Sequence, residues 1–117
     1  FLTKERASTL YKSSHVFIMP SLADCNPLSL IEAAKAGNVL LASRGVGSYP
    51  ELINDNGFIF EIDDEEDMFA QCTKIMMSDK ADLLRMATKS VALVSNISHG
   101  NTAAAFHDAI TFVRQRK

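Results

Sequence analysis

HVFIMPSLADCNPLSLIEAAKAGNVLLAS, residues 15–43, holds two unbroken apolar runs separated by a loop and an alanine-rich segment. Val16, Phe17, Ile18 and Met19 form the first run, closed by Pro20, and the second lies in Asn38–Ser43. Neither alternates polar with apolar residues, so both read as strands buried on two faces. Between them, Leu28 to Ala36 is helical in composition and stops at Gly37, a residue suited to a left-handed C-cap. Apolar strands joined by a helical crossover predict a parallel α/β sheet.

Working outward, residues 3–13 read as a short helix with Thr3 as N-cap. Downstream, the loop RGVGSYP leads into a helical turn over residues 50–54. A third strand, GFIFEI, follows, with Asn56-Gly57 as its turn signal. Six of the seven residues from Glu61 to Asp67 are acidic. Asp64 as N-cap, with Glu65, Glu66 and Asp67 in the first turn, explains them as a helix start; a metal site is the alternative. Phe69, Cys72, Ile75 and Met76 mark an amphipathic helix to about Ser78. Leu83, Met86, Ala87 and Val91 mark another. Residues 102–114 mark a last one, with Ala105, Phe106, Ala109, Ile110 and Val113 on one face. Three strands make a thin sheet where a doubly wound nucleotide-binding domain has about six, so the pattern suits half of such a domain.

The chain of 117 residues fits one domain, spanning 1–117, and 47% hydrophobic residues suffice for a core. Its net charge of -2 gives no support for a nucleic-acid or anionic-membrane surface. No apolar run approaches the roughly 20 residues that span a bilayer. The start, FLTKERASTLYKSS, turns polar after two residues, unlike a signal peptide, and lacks Met, as in a processed or excised piece. Cys25 and Cys72 are the only cysteines, with no ligand-like spacing, which argues against structural zinc and for a reducing, cytoplasmic setting.

Open α/β sheets bind ligands beyond the carboxyl ends of their strands. Two loops belong there, PSLADCN after the first strand and SRGVGSYP after the second. Asn26 suits the N-cap and Pro27 the first helical position, which leaves the Leu28 and Ser29 amides pointing outward at a positive helix end. That is an anion site suited to phosphate. Helical side chains lean toward the N-terminus, so Glu32 is expected to reach the same rim and accept hydrogen bonds from a ribose diol. Asp24 can do the same for sugar hydroxyls. Together these groups describe a nucleotide-sugar. The residues also allow an ordinary Glu32–Lys35 ion pair and an Asp24 that merely shapes a turn.

Two other classes stay open. Cys25 before a helix start, with His15, His99 or His107 as base, would suit a cysteine hydrolase. However, His15 opens the strand at the opposite end, and the other two histidines lack an orienting third group. A non-catalytic nucleotide-binding or regulatory α/β module shares the anion site with any transferase.

The stretch LYKSSHVFIMPSLADCNPLSLIEAAKAGNVLLASRGVGSYPELI resembles the nucleotide-sugar half of retaining GT-B glycosyltransferases, the family-4-like group that builds polysaccharides and glycolipids. The likeness covers residues 7–67: a strand ending in Pro-Ser, an acid-x7-Glu motif opening a helix that ends near Gly, a second strand, and a loop like Gly-Gly-x-Pro-Glu. The resemblance implies a partial Rossmann-like parallel sheet of about three strands with flanking helices and a C-terminal helical segment. It implies that Glu32 binds the donor ribose, that Asp24 meets the transferred sugar, and that the backbone around Cys25, Asn26, Leu28 and Ser29 meets sugar and diphosphate. It places Gly47 and Glu51 near the nucleotide.

It further implies a UDP-, GDP- or ADP-linked donor, no cofactor, no metal, and a glycan or lipid-linked acceptor held by an N-terminal domain. The location implied is cytoplasmic, or peripheral at the inner membrane face. The sequence departs from the family pattern at Asp24, one methylene shorter than Glu, and at Ser48, which replaces the second glycine. The family's basic pair and acceptor domain match nothing in the chain, so an inactive fragment is expected, one that self-associates through its open sheet edge.

Overall fold

The computed structural model describes residues 2–115. The chain runs α1 (Lys4–Ser13), β1 (Val16–Met19), α2 (Leu28–Lys35), β2 (Val39–Ser43), α3 (Tyr49–Leu52), β3 (Gly57–Phe60), α4 (Glu65–Met77), α5 (Lys80–Val94) and α6 (His99–Gln115). The three strands form one parallel sheet in the order β1-β2-β3. The expected partial Rossmann-like architecture is therefore the one observed.

Alternation along β2 explains why the sheet needs helices on both sides. Leu40 and Ala42 point into a core shared with Leu30, Ile31, Ala33 and Ala34 of α2, Leu52 of α3 and Val94 of α5. Val39 and Leu41 point the other way, against Phe60, Ile75 of α4 and Met86 of α5. Helix α5 thus contributes to both cores. Every residue of β2 is buried, as its continuous apolar run predicts.

β1 differs from that expectation. It is an edge strand, and Ile18 is 45% exposed, because one flank and part of one face have no described element against them. Helix caps follow local chemistry closely. Thr3 Oγ1 accepts from the Arg6 amide at 3.3 Å, Asp64 Oδ1 from the Asp67 amide at 2.8 Å, and Asp79 Oδ1 from the Asp82 amide at 2.8 Å. The acidic run is thus a helix start. Asp67 also accepts from the Glu61 amide and Gln71 Nε2, both at 2.8 Å. Its pKa is lowered, first by the Gln71 hydrogen bond and then by the Glu61 amide. Gly37 takes φ +81°, the left-handed C-terminal turn expected of it.

The inward faces of α4 and α5 are rotated from those predicted. Met68, Cys72 and Ile75 meet the core, while Phe69 and Met76 lie in solvent. On α5 the buried line is Met86, Ser90 and Val94, and Val91 is exposed. Helix α6 starts three residues earlier than expected, because Ser98 Oγ accepts from the Asn101 amide at 3.1 Å. None of its residues is buried, and Phe106, Ile110 and Val113 on its apolar face are each more than half exposed. The surface area of 8339 Å² exceeds the roughly 6300 Å² of a compact chain of this mass, consistent with a projecting α6 and an open edge. No helix among the described residues is long and apolar enough to cross a membrane.

Candidate functional site

The loops after β1 and β2 meet at the carboxyl end of the sheet and are stitched together by main-chain bonds. The Asp24 amide donates to Gly45 O at 3.0 Å and the Gly47 amide to Asp24 O at 2.8 Å, which makes a parallel bridge between Asp24 and Val46. Ser43 Oγ donates to Ser21 O beneath them. The contact requires glycine. A Cβ at Gly45 would overlap the carbonyl oxygens of Leu22 and Ser21, and one at Gly47 would stand 3.0 Å from Cys25 O. The Asp24–Cys25 segment and Gly47, singled out separately in the sequence, therefore form one unit.

The start of α2 is built differently from the expectation. Pro27, not Asn26, is the N-cap: its carbonyl accepts from the Leu30 amide at 3.1 Å, and no side chain caps the helix. Asn26 is drawn away because its own amide donates to Asp24 Oδ1 at 3.1 Å, closing a local turn. The Asn26 amide is thereby used within the loop, while the helix beginning at Leu28 keeps its uncapped positive end. Leu28 is 72% exposed and so adds nothing to the core. Ser29 is half-buried, its hydroxyl 3.7 Å from Met19 Sδ. Cys25 is exposed, and His15, just before β1, precedes the strand whose far end leads to the Cys25 loop, so the two stand at opposite ends of the sheet.

Of the arrangements expected of Glu32, the Lys35 ion pair does not form among the described residues. Glu32 is exposed on the face of α2 that looks toward α1, in a groove of about 370 Å³ lined by Ser8, Tyr11 and Lys35 among others. Instead its carboxylate stands beside the Tyr11 hydroxyl, whose pKa is raised by partial burial and then by this neighbouring charge. Glu51 is exposed on α3, one turn beyond the stitched loop.

Sequence reasoning overlooked Arg44, the only cation on either loop. It pairs with Glu61 at 2.8 Å, donates to Tyr49 Oη at 3.0 Å and stacks 5.6 Å from the Tyr49 ring centroid. This ties the second loop to the end of β3 and raises the Arg44 pKa, first through Glu61 and then Tyr49. Beside it lies a second cleft of about 280 Å³, lined by Ser21, Ser43, Phe60 and Asp64 among others. Among the described residues no group of three or more histidine, cysteine or acidic side chains is placed to hold a metal ion.

The parallel α/β unit that carries these loops has a structural counterpart. The catalytic domain of starch synthase IV from Arabidopsis thaliana, a structure bound to ADP and acarbose, superposes with a TM-score of 0.80 at 20% identity. The match covers 95% of this chain and 25% of that one, so the chain spans about a quarter of that structure's length and shares its fold. Residues 1–92 match the family described as glycosyl transferases group 1, and the chain belongs to that family and to its GT-B fold. A search of curated proteins gave no match.

Proposed function

We propose that the full-length protein carrying this chain transfers a sugar from a nucleotide-sugar to a glycan or lipid-linked acceptor, with retention and without a metal. Residues 1–117 supply the C-terminal part of its donor domain. The observation that carries this reading is the stitched loop pair beside the uncapped start of α2. Main-chain amides at a helix N-terminus there face the place where ligands of open α/β sheets sit. In the proposed complex the Leu28 and Ser29 amides stabilise the leaving diphosphate. Asp24, oriented by the Asn26 amide, accepts from a hydroxyl of the transferred sugar, while Glu32 accepts from the ribose diol. Gly47 and Glu51 flank the nucleotide, with Cys25 and Asn26 lending backbone to the sugar contact. The ADP in the starch synthase IV structure supports a nucleoside-diphosphate donor, UDP-, GDP- or ADP-linked, with no further cofactor. The proposed setting is cytoplasmic or at the inner membrane face.

The test is a donor screen on the full-length protein with UDP-, GDP- and ADP-sugars and mixed glycan and lipid acceptors. One donor class is expected to support transfer, and the isolated chain none. Nucleotide binding with no transfer to any acceptor would favour a non-catalytic module. Absence of both would overturn the donor site.

A further inference from the structure

We infer that Ser90 is a positioning residue for the donor site: its hydroxyl joins two carbonyl anchors, one fixing the helix that carries Glu32 and one fixing the helix that carries Glu51. The inference rests on the donor reading above.

The inward line of α5 is Met86, Ser90 and Val94. An apolar residue at the middle position would be the simplest core. Instead the fold buries three polar residues completely: Asn38, Asn56 and Ser90 are each 0% exposed. Ser90 Oγ donates to Asn38 O at 2.7 Å and accepts from Asn56 Nδ2 at 3.0 Å. Asn56 Nδ2 also donates to Leu52 O, the last residue of α3, at 3.0 Å, and Asn56 Oδ1 accepts from the Asn54 amide at 2.7 Å. Asn38 Nδ2 donates to Ala33 O of α2 at 3.1 Å and to Tyr11 O of α1 at 3.0 Å. Tyr11 is the residue beside Glu32.

The chain of bonds therefore runs from α3 through Asn56, Ser90 and Asn38 to α2 and α1. Each helix bearing a proposed donor carboxylate is held by a carbonyl acceptor near its C-terminal end, away from the ligand. Among the described residues, Ser90 is the one side chain that connects the two anchors. Asn38 Oδ1 is the one buried acceptor of this network without a partner among the described residues; the other bonds favour one geometry, because a displacement would leave further desolvated donors or acceptors unpaired. Without the hydroxyl, Asn38 O loses this bond and Asn56 Nδ2 keeps only its bond to Leu52 O, while Asn56 Oδ1 still accepts from the Asn54 amide. The α2 and α3 anchors then become independent of each other.

The experiment compares wild type, Ser90→Ala and Met86→Ala in the full-length protein. Met86 is a core residue on the same helix, outside the network, and serves as the stability-matched control. UDP, GDP and ADP are titrated calorimetrically, and amide hydrogen exchange is followed over residues 33–38 and 47–53. Ser90→Ala is expected to weaken the tightest of the three nucleotides by roughly three- to tenfold and to speed exchange in those two segments selectively. Met86→Ala is expected to lower the melting temperature at least as much with nucleotide affinity within about twofold. Equal nucleotide affinity in wild type and Ser90→Ala, or the same affinity loss in both variants, would overturn the positioning role. If wild type binds none of the three nucleotides, the donor reading falls. The exchange arm then decides separately whether Ser90 couples α2 to α3: unchanged exchange at 33–38 and 47–53 would refute the coupling.

Discussion

Gly57→Ala is expected to lower the stability of the full-length protein's C-terminal domain by at least about 3 kcal/mol, a drop of roughly 6–12 °C in Tm. Gly57 opens β3 opposite Leu40 of β2. A Cβ there would overlap the Leu40 carbonyl, with the Leu40 amide nitrogen 2.9 Å away. The obstacle is backbone on the central strand, not a side chain that can swing aside. Relief requires β3 to separate from β2, where Leu40 N donates to Asn56 O at 3.1 Å and Arg44 N to Phe60 O at 2.9 Å. Loss of the first bond would disturb Asn56 and its polar network as well. Thermal unfolding followed by circular dichroism checks this; a variant melting within about 2 °C of wild type would contradict the β2–β3 register.

Glu32→Gln should reduce donor use without loss of stability. The side chain is exposed and makes no ion pair among the described residues, so its charge contributes little to folding. A carboxylate accepts hydrogen bonds from a ribose diol more strongly than an amide does. The expected loss is on the order of 1–3 kcal/mol of transition-state stabilisation, about 5- to 150-fold in kcat/KM. The structure supplies a competing role for this residue, its approach to Tyr11. Tyr11→Phe separates the two. If Glu32 serves only Tyr11, then Tyr11→Phe and Glu32→Gln will match each other, with normal kinetics and small shifts in Tm. If Glu32 serves the donor, Tyr11→Phe and Lys35→Ala will leave kcat/KM within about twofold while Glu32→Gln falls well below.

The elements that the sequence made legible are those written in short-range chemistry. Thr3 and Asp64 were recognisable as caps, Gly37 as a helix stop, and the apolar runs at Val16 and Val39 as parallel strands, because each depends on a few neighbours. Asn26 misled because it competes with Asp24: the carboxylate takes the Asn26 amide, and the helix starts from Pro27 instead. Burial was harder to foresee where it depends on distant elements. Ile18 reads as core yet lies on an edge strand, and the apolar face of α6 reads as packed yet its Phe106, Ile110 and Val113 lie exposed. The Asn38–Asn56–Ser90 network joins residues up to 52 apart in sequence, and nothing local marks Ser90 as its node. For the site, the strand–loop–helix junction was legible from Asp24, Pro27 and Gly47. The pinning of the second loop by Arg44 and Glu61 was not, since that pair spans 17 residues and an intervening strand.

The most direct measurement is a crystal structure of the full-length protein with UDP, GDP or ADP bound, at concentrations where calorimetry shows occupancy. The account predicts a diphosphate within hydrogen-bonding distance of the Leu28 and Ser29 amides, beside the loop held by Gly45 and Gly47, with the ribose toward Glu32. A diphosphate bound elsewhere, with the start of α2 and both stitched loops vacant, would contradict it.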